Sequence, residues 1–138
     1  MIILDTNVIS EFTRPQPSER VRAWFRRQNI DDLVTTAVTE GELYSGVMSL
    51  PDGRRKLATG QAYDTILENL GARIHSFDRA AAREFASITA QRQRAGLLAD
   101  TADCQIAAIA RILGASIATR NIDDFIHTGV KIINPWTA

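Results

Sequence analysis

Met1-Ile2-Ile3-Leu4-Asp5-Thr6-Asn7 opens the chain with an apolar run that stops at a carboxylate. Ile2 to Leu4 reads as a short buried strand, because every residue is apolar and two are β-branched. An ionised carboxylate joined to such a strand is costly to bury unless something pairs with it. Two further acids, Glu42 and Asp103, sit in comparably awkward places. Three acids at the edge of one core point to a metal site.

Working outward from that strand, Thr6 to Phe12 predicts a helix broken by Pro15 and Pro17. Ser18 to Gln28 predicts a second, with Val21, Trp24, Phe25 and Gln28 at helical spacing. Leu33 to Thr36 reads as a strand, Val38 to Leu50 as a helix stopped by Pro51-Asp52-Gly53, and Arg54 to Leu70 as another ending at Gly71. A third strand is expected over Arg73 to Phe77. Asp78 then caps a helix running to Gly96. Asp100 to Leu113 forms an alanine-rich helix closed by Gly114. Ser116 to Thr119 reads as a fourth strand, Asn121 to His127 as a short helix and Lys131 to Ile133 as a fifth strand. Short apolar strands alternating with helices imply an α/β protein whose parallel sheet is covered on both faces. Ligands of such sheets bind at the carboxyl ends of the strands, where strand order reverses. Asp5 follows the first strand, and Thr119-Arg120-Asn121 follow the fourth.

The 138 residues, 45% of them hydrophobic, suffice for one domain with a real core. Lys+Arg and Asp+Glu are both 16, so the chain is not a polycation and bulk charge announces no nucleic-acid partner. The basic residues are arginines apart from Lys56 and Lys131, which suits bidentate contacts to phosphate or carboxylate. The single cysteine, Cys104, rules out an intramolecular disulfide and fits a reducing cytoplasm. No basic segment followed by an apolar one marks a signal peptide. No apolar run approaches the roughly 20 residues of a membrane helix.

Asp103 shares its helix face with Ile106, Ala107 and Ala110, so it heads an apolar stripe and points as the core does. An acid in a first helical turn is also favoured by the helix dipole, a role Asp100 fills better as the cap. Glu42, alone, reads as an ordinary exposed acid; beside Asp5 and Asp103 it reads as part of a site. Glu40 lies about 200° away and is expected to face solvent. Gly41 and Gly46 weaken their helix by roughly 1 kcal/mol each relative to alanine, which suggests close approach by another element or a ligand. Asn121 fits a helix N-cap with Asp124 as the acid of a capping box, and a carboxylate there also points toward the crevice of Asp5.

Carboxylates sharing a cleft repel one another and hold their protons unless a cation neutralises them. Oxygen-only ligands suit Mg²⁺ or Mn²⁺. Cys104, His75 in a strand and His127 in a short helix lack zinc-like spacing and read as structural. An acid cluster with Mg²⁺ is equipment for cutting phosphodiesters, since the metal lowers the pKa of water and offsets charge at phosphorus. A phosphatase with an aspartyl nucleophile would want an acid two positions after Asp5, where this chain has Asn7.

Leu4-Asp5-Thr6-Asn7-Val8-Ile9-Ser10 resembles the opening motif of PIN-domain nucleases. Thr39 to Gly46 resembles their second motif, Asp103 to Ala108 their third and Thr119 to Phe125 their fourth. The four occur in order, and the Asn134-Pro135-Trp136 ending adds to a likeness to VapC-type toxins of the FitB-like subgroup. The resemblance implies a single PIN domain over residues 1–138, a three-layer fold with a five-stranded parallel sheet flanked by helices. It further implies a Mg²⁺- or Mn²⁺-dependent endoribonuclease toxin of a type II toxin–antitoxin pair. Such proteins are homodimers inhibited by a cognate VapB-like antitoxin, and reach DNA only through it. Asp5, Glu42 and Asp103 match the family's acids, with Asp5 and Asp103 as principal metal ligands. Some relatives carry Asp where this chain has Asn121; Asp123 and Asp124 follow nearby. Thr6 and Thr119 are placed to orient carboxylates or water. A catalytically weak PIN domain, acting as a binding module in an antitoxin complex on operator DNA, is the alternative.

Phe12 to Arg27 combines Trp24 and Phe25 with Arg14, Arg20, Arg22, Arg26 and Arg27. One reading is core aromatics under a solvated arginine face; the other is a groove for the antitoxin. Arg54-Arg55-Lys56 is a second basic cluster placed to touch RNA phosphates.

Overall fold

The computed structural model describes residues 1–138. Its strands are β1 (Ile2–Leu4), β2 (Leu33–Thr36), β3 (Ile74–His75), β4 (Ser116–Ala118) and β5 (Ile132–Ile133). The α-helices are α1 (Thr6–Glu11), α2 (Glu19–Arg26), α3 (Ala37–Met48), α4 (Arg54–Leu70), α5 (Arg79–Arg94) and α6 (Thr101–Leu113). All strand pairs are parallel, in the order β3-β2-β1-β4-β5. The chain builds outward from β1 to β2 and β3, then returns to the other side of β1 for β4 and β5. The order therefore reverses between β1 and β4, and the crevice opens at their carboxyl ends.

The opening apolar run is explained by burial on two faces. Ile3 registers with Val34 and Ile117, and all three enter a core shared with Ile88, Ile106, Ile109 and Phe125. Their chain neighbours Leu4, Leu33 and Ala118 enter a second core with Val8, Ile9, Trp24, Leu43 and Tyr63. Successive strand residues point to opposite faces, so a strand in the middle layer has no solvent side and needs apolar residues throughout. The fold is the expected five-stranded parallel sheet between helical layers.

The caps read from the sequence are in place. Asp78 accepts the Ala81 N–H at 2.9 Å at the start of α5, and Asp100 accepts the Asp103 N–H at 3.1 Å at the start of α6. Gly114 closes α6 in the left-handed conformation, φ 62°. Asp78→Ala should lower stability by about 1 kcal/mol, measured by urea denaturation, because one first-turn N–H loses its acceptor.

Several boundaries differ from expectation. β3 is only Ile74–His75, because Arg73 belongs to a 3-10 turn and the strand pairs β2 through Thr35 and Thr36 alone. Thr119 lies just past β4, although its N–H still donates to the Ile133 carbonyl at 2.9 Å. The helix expected over Asn121 to His127 is only a 3-10 turn, Ile122–Asp124, and Asn121 makes no side-chain cap. Arg92 takes the Asp123 and Ile126 carbonyls, which a continuing helix would have used. His127 consequently sits in a turn at φ 60°.

Candidate active site

Each acid is delivered by a different element. Asp5 ends β1 and is the N-cap of α1, its Oδ1 accepting the Thr6 N–H at 2.8 Å. Thr36, at the end of β2, caps α3 through the Thr39 N–H at 3.0 Å and so sets the helix that carries Glu42. Asp103 lies in the first turn of α6. These starts converge because β1, β2 and β4 are adjacent and parallel.

Asp5 is 4% exposed. Thr119 donates its hydroxyl to Asp5 Oδ2 at 2.7 Å, and Asn7 Nδ2 donates to the same oxygen at 3.2 Å and to Thr119 Oγ1 at 3.1 Å. Asn7 Oδ1 accepts the Arg120 N–H at 3.1 Å, and Thr119 Oγ1 accepts the Asn121 N–H at 3.0 Å. Asn7 thereby ties the end of β1 to the end of β4. Thr6 donates its hydroxyl to Glu42 Oε1 at 3.0 Å. Thr6 and Thr119 thus hydrogen-bond one carboxylate each.

Burial raises the Asp5 carboxyl above the usual range, opposed by the Thr119 hydroxyl and the Thr6 N–H. Burial also raises Glu42; the Thr6 hydroxyl lowers it, and the charges of Asp5 and Asp100 raise it. Asp103 is pushed up to about 7, by burial first and then by the charges of Asp100, Asp124, Asp5 and Glu42. Every influence on Asp103 acts in that one direction, so the cleft holds uncompensated negative charge.

Local pattern marks Asp100 only as a cap, yet its charge acts on both Glu42 and Asp103. Local pattern marks Asn7 only as the lack of an acid, yet its side chain donates to Asp5 Oδ2. Among the three fourth-position candidates, Asp124 is the acid whose charge reaches both Asp5 and Asp103. Asn121, Asp123 and Asp124 are all exposed and line one surface cavity with Arg120.

The donor set is carboxylate oxygen, with Cys104 buried in the core and both histidines on other segments. That chemistry fits a hard divalent cation, whose charge would relieve the mutual repulsion. The acids line the cleft rather than gathering about one point, and no three converge as a ligand set.

A groove of about 740 Å³ runs from Thr6 and Glu42 between α1, α3 and α4, and is lined also by Arg14, Arg55, Ser10 and Tyr63. Of the Arg54-Arg55-Lys56 cluster only Arg55 lines this groove; Lys56 is paired with Asp52 at 3.1 Å. Trp24 does not offer a contact surface: it is 3% exposed and packs in the second core, because α2 turns its apolar stripe inward. Arg26 pairs with Glu19 at 2.6 Å and Arg27 donates to the Ala138 carbonyl, both on the surface. Gly41 and Gly46 are not packed against another element, since a Cβ at either meets nothing within 4 Å. Glu40 is half-buried rather than fully solvated. No helix is long and apolar enough to cross a membrane.

The PIN domain family profile matches residues 2–131. The chain is 39% identical to the VapC ribonuclease Y4jK of Sinorhizobium fredii, over 99% of this chain and 98% of that one. It is also 39% identical to toxin FitB of Neisseria gonorrhoeae, over 99% of each chain. The structure of FitAB bound to an IR36 DNA fragment superposes on 99% of this chain and 96% of that one, with a TM-score of 0.91 and 38% identity. A family match that takes in β1 with Asp5, α3 with Glu42 and α6 with Asp103 makes this chain a member of the PIN domain family.

Proposed function

We propose that this PIN domain is a divalent-metal-dependent endoribonuclease toxin held in check by a cognate antitoxin. The observation that carries the reading is the cleft of mutually repelling carboxylates at the switch point of the sheet, with Asp103 raised to about 7. Its relatives' names, a ribonuclease and a toxin, support the same reading.

Asp5 and Asp103 would hold Mg²⁺ or Mn²⁺, with Glu42 beside them and Asp124 as the supporting fourth acid. When bound, the ion lowers the pKa of water and offsets negative charge at the phosphodiester. The remaining work falls to the chain. Thr119 and Asn7 hold Asp5 in one rotamer, and Thr6 holds Glu42. Asp5 Oδ1 accepts only the Thr6 N–H, which leaves that oxygen capacity for a further partner. Asp5 would act as a ligand rather than a proton carrier, because burial and fixed donors leave it little freedom to move. Arg55 and Arg14 line the groove beside Glu42 and would meet phosphates flanking the cleaved bond.

The test is RNA incubated with antitoxin-free protein, with Mn²⁺ or Mg²⁺ and with chelator. Metal-dependent fragments are expected; their absence sinks the nuclease reading. Arg55→Ala should raise KM for RNA about 3–10-fold with kcat little changed, and reduce the salt slope of binding by about one.

A separate apolar groove of about 340 Å³, lined by Leu4, Ile9, Phe12, Phe25, Ile66 and Leu70, offers the antitoxin an anchor. Phe12 and Phe25 meet edge to face there at 5.0 Å, which supports the groove reading of that segment. The second functional reading, a weakly catalytic module in an antitoxin complex on operator DNA, is favoured by the DNA-bound FitAB relative. It would stand if the purified chain cuts no RNA yet retards operator DNA together with its partner. In the toxin reading the protein acts in the cytoplasm as a homodimer, which sedimentation of the free chain would check.

A further inference from the structure

We propose that Arg92 is a positioning residue for the acid cluster: it clamps the two loops that present Asp100 and Asp124 around Asp103, and so sets the affinity for a divalent cation. The inference rests on the metal-centred reading above.

Arg92 lies in the last turn of α5 and is 4% exposed. Its guanidinium hydrogen-bonds to backbone carbonyls only. Nε donates to Leu98 at 2.8 Å, and Nη1 donates to Asp123 at 3.2 Å and to Ile126 at 2.6 Å. A buried permanent charge without a counter-ion is expensive, and simple packing would be served as well by an apolar side chain. What the planar fork adds is reach to acceptors on two separate loops from one rigid group.

Those acceptors have meaning for the site. The Leu98 carbonyl lies two residues before Asp100, the cap of the helix that carries Asp103. The Asp123 and Ile126 carbonyls bracket Asp124. Asp100 and Asp124 are the two strongest charges acting on Asp103, and Asp124 also acts on Asp5. One guanidinium thus holds both acid-bearing segments against a repulsion that would push them apart. Its own charge reaches Cys104, the neighbour of Asp103.

The experiment compares wild type, Arg92→Lys, Arg92→Met and a control, Leu67→Ala. Leu67 is buried in α4, away from both loops, and its truncation costs stability without touching the clamp. Lysine keeps the charge but cannot span three carbonyls. Mn²⁺ affinity of the chain is measured directly, together with amide exchange and with kcat and KM at several Mn²⁺ concentrations. Arg92→Lys is expected to weaken Mn²⁺ binding about 10–100-fold, as loss of an outer partner of a metal site does. Amide exchange should quicken over residues 97–100 and 121–127, and kcat should recover at saturating Mn²⁺ with KM for RNA unchanged. Leu67→Ala should melt earlier yet bind Mn²⁺ as wild type does.

Mn²⁺ affinity within about twofold of wild type in Arg92→Lys, or an equal loss in Leu67→Ala, overturns the proposal alone. If Arg92→Met fails to fold, Arg92→Lys carries the test; if both unfold, Arg92 is a stability element and the proposal is overturned. No Mn²⁺ binding by wild type overturns the metal reading and this inference together.

Discussion

Asp5→Asn should abolish RNA cleavage while the protein stays folded. The expected loss in kcat exceeds about 100-fold, more than the loss of an outer partner costs, because a direct ligand is removed. Metal binding, followed by calorimetry, should fall with it. Stability should stay within about 1 kcal/mol of wild type or rise. Asparagine caps a helix as well as aspartate does, so the Thr6 N–H of α1 keeps its acceptor. The neutral amide also escapes the burial that raises the Asp5 carboxyl. The opposing losses are the two contacts to Oδ2, from the Thr119 hydroxyl at 2.7 Å and the Asn7 amide at 3.2 Å, because an amide nitrogen there accepts neither. Thermal melts run beside the cleavage assay decide the matter: a variant that unfolds would show that Asp5 is chiefly structural, and one that cuts RNA normally would show that it holds no ion.

Asp103→Asn should stabilise the metal-free protein, and the gain should grow with pH. In the folded chain Asp103 titrates near 7, raised from 3.8 by burial and by four neighbouring acids. The folded state therefore binds this proton more tightly than the unfolded state. Below about pH 4 both states are protonated and the side chain carries no penalty. Between about 4 and 7 the unfolded chain ionises first, so stability falls as pH rises; above about 7 the loss is complete and levels off. Asparagine does not titrate and escapes this loss. The side chain is half-exposed and solvent screens its neighbours, so the gain at pH 8 is about 1–2 kcal/mol rather than the full free energy of the shift. Mg²⁺ should raise the wild-type melting temperature more at pH 8 than at pH 5, since it competes with the proton, and should do little for Asp103→Asn. A stability difference that does not change between pH 4 and 8 would remove the charge argument.

These two acids differ in how far they could be read in advance. Asp5 was marked by a purely local conflict, a carboxylate on a strand with no solvent side. Asp103 was marked by helical spacing, because Ile106, Ala107 and Ala110 share its face and all three are buried. Caps at Asp78 and Asp100 were legible for the same reason: the acceptor and the N–H it serves are three residues apart. Where the reading strayed, distant residues decided the outcome. The turn at Ile122–Asp124 stops short because Arg92, some thirty residues earlier, takes the carbonyls a helix would need. Trp24 carries the chemistry of a contact residue, but α2 rotates it into a core built from six other elements. Gly41 and Gly46 carry the helix penalty without close packing in return, and nothing in the structure explains Gly41.

The sequence by itself determined the three-layer α/β class, the strand positions and the placing of Asp5 at the carboxyl end of β1. Each follows from interactions within a few residues: apolar runs, the 3.6-residue period and capping side chains. Only the tertiary structure decided which partners meet. The strand order sets β1 beside β4 and brings Thr119 onto Asp5 across 114 residues. It also brings the charge of Asp124 to bear on Asp103, and that of Asp100 on Glu42. The physical reason is that charge–charge and hydrogen-bond energies depend on distance in space. A parallel sheet converts residues far apart in the chain into neighbours at one edge, and no local pattern records that conversion.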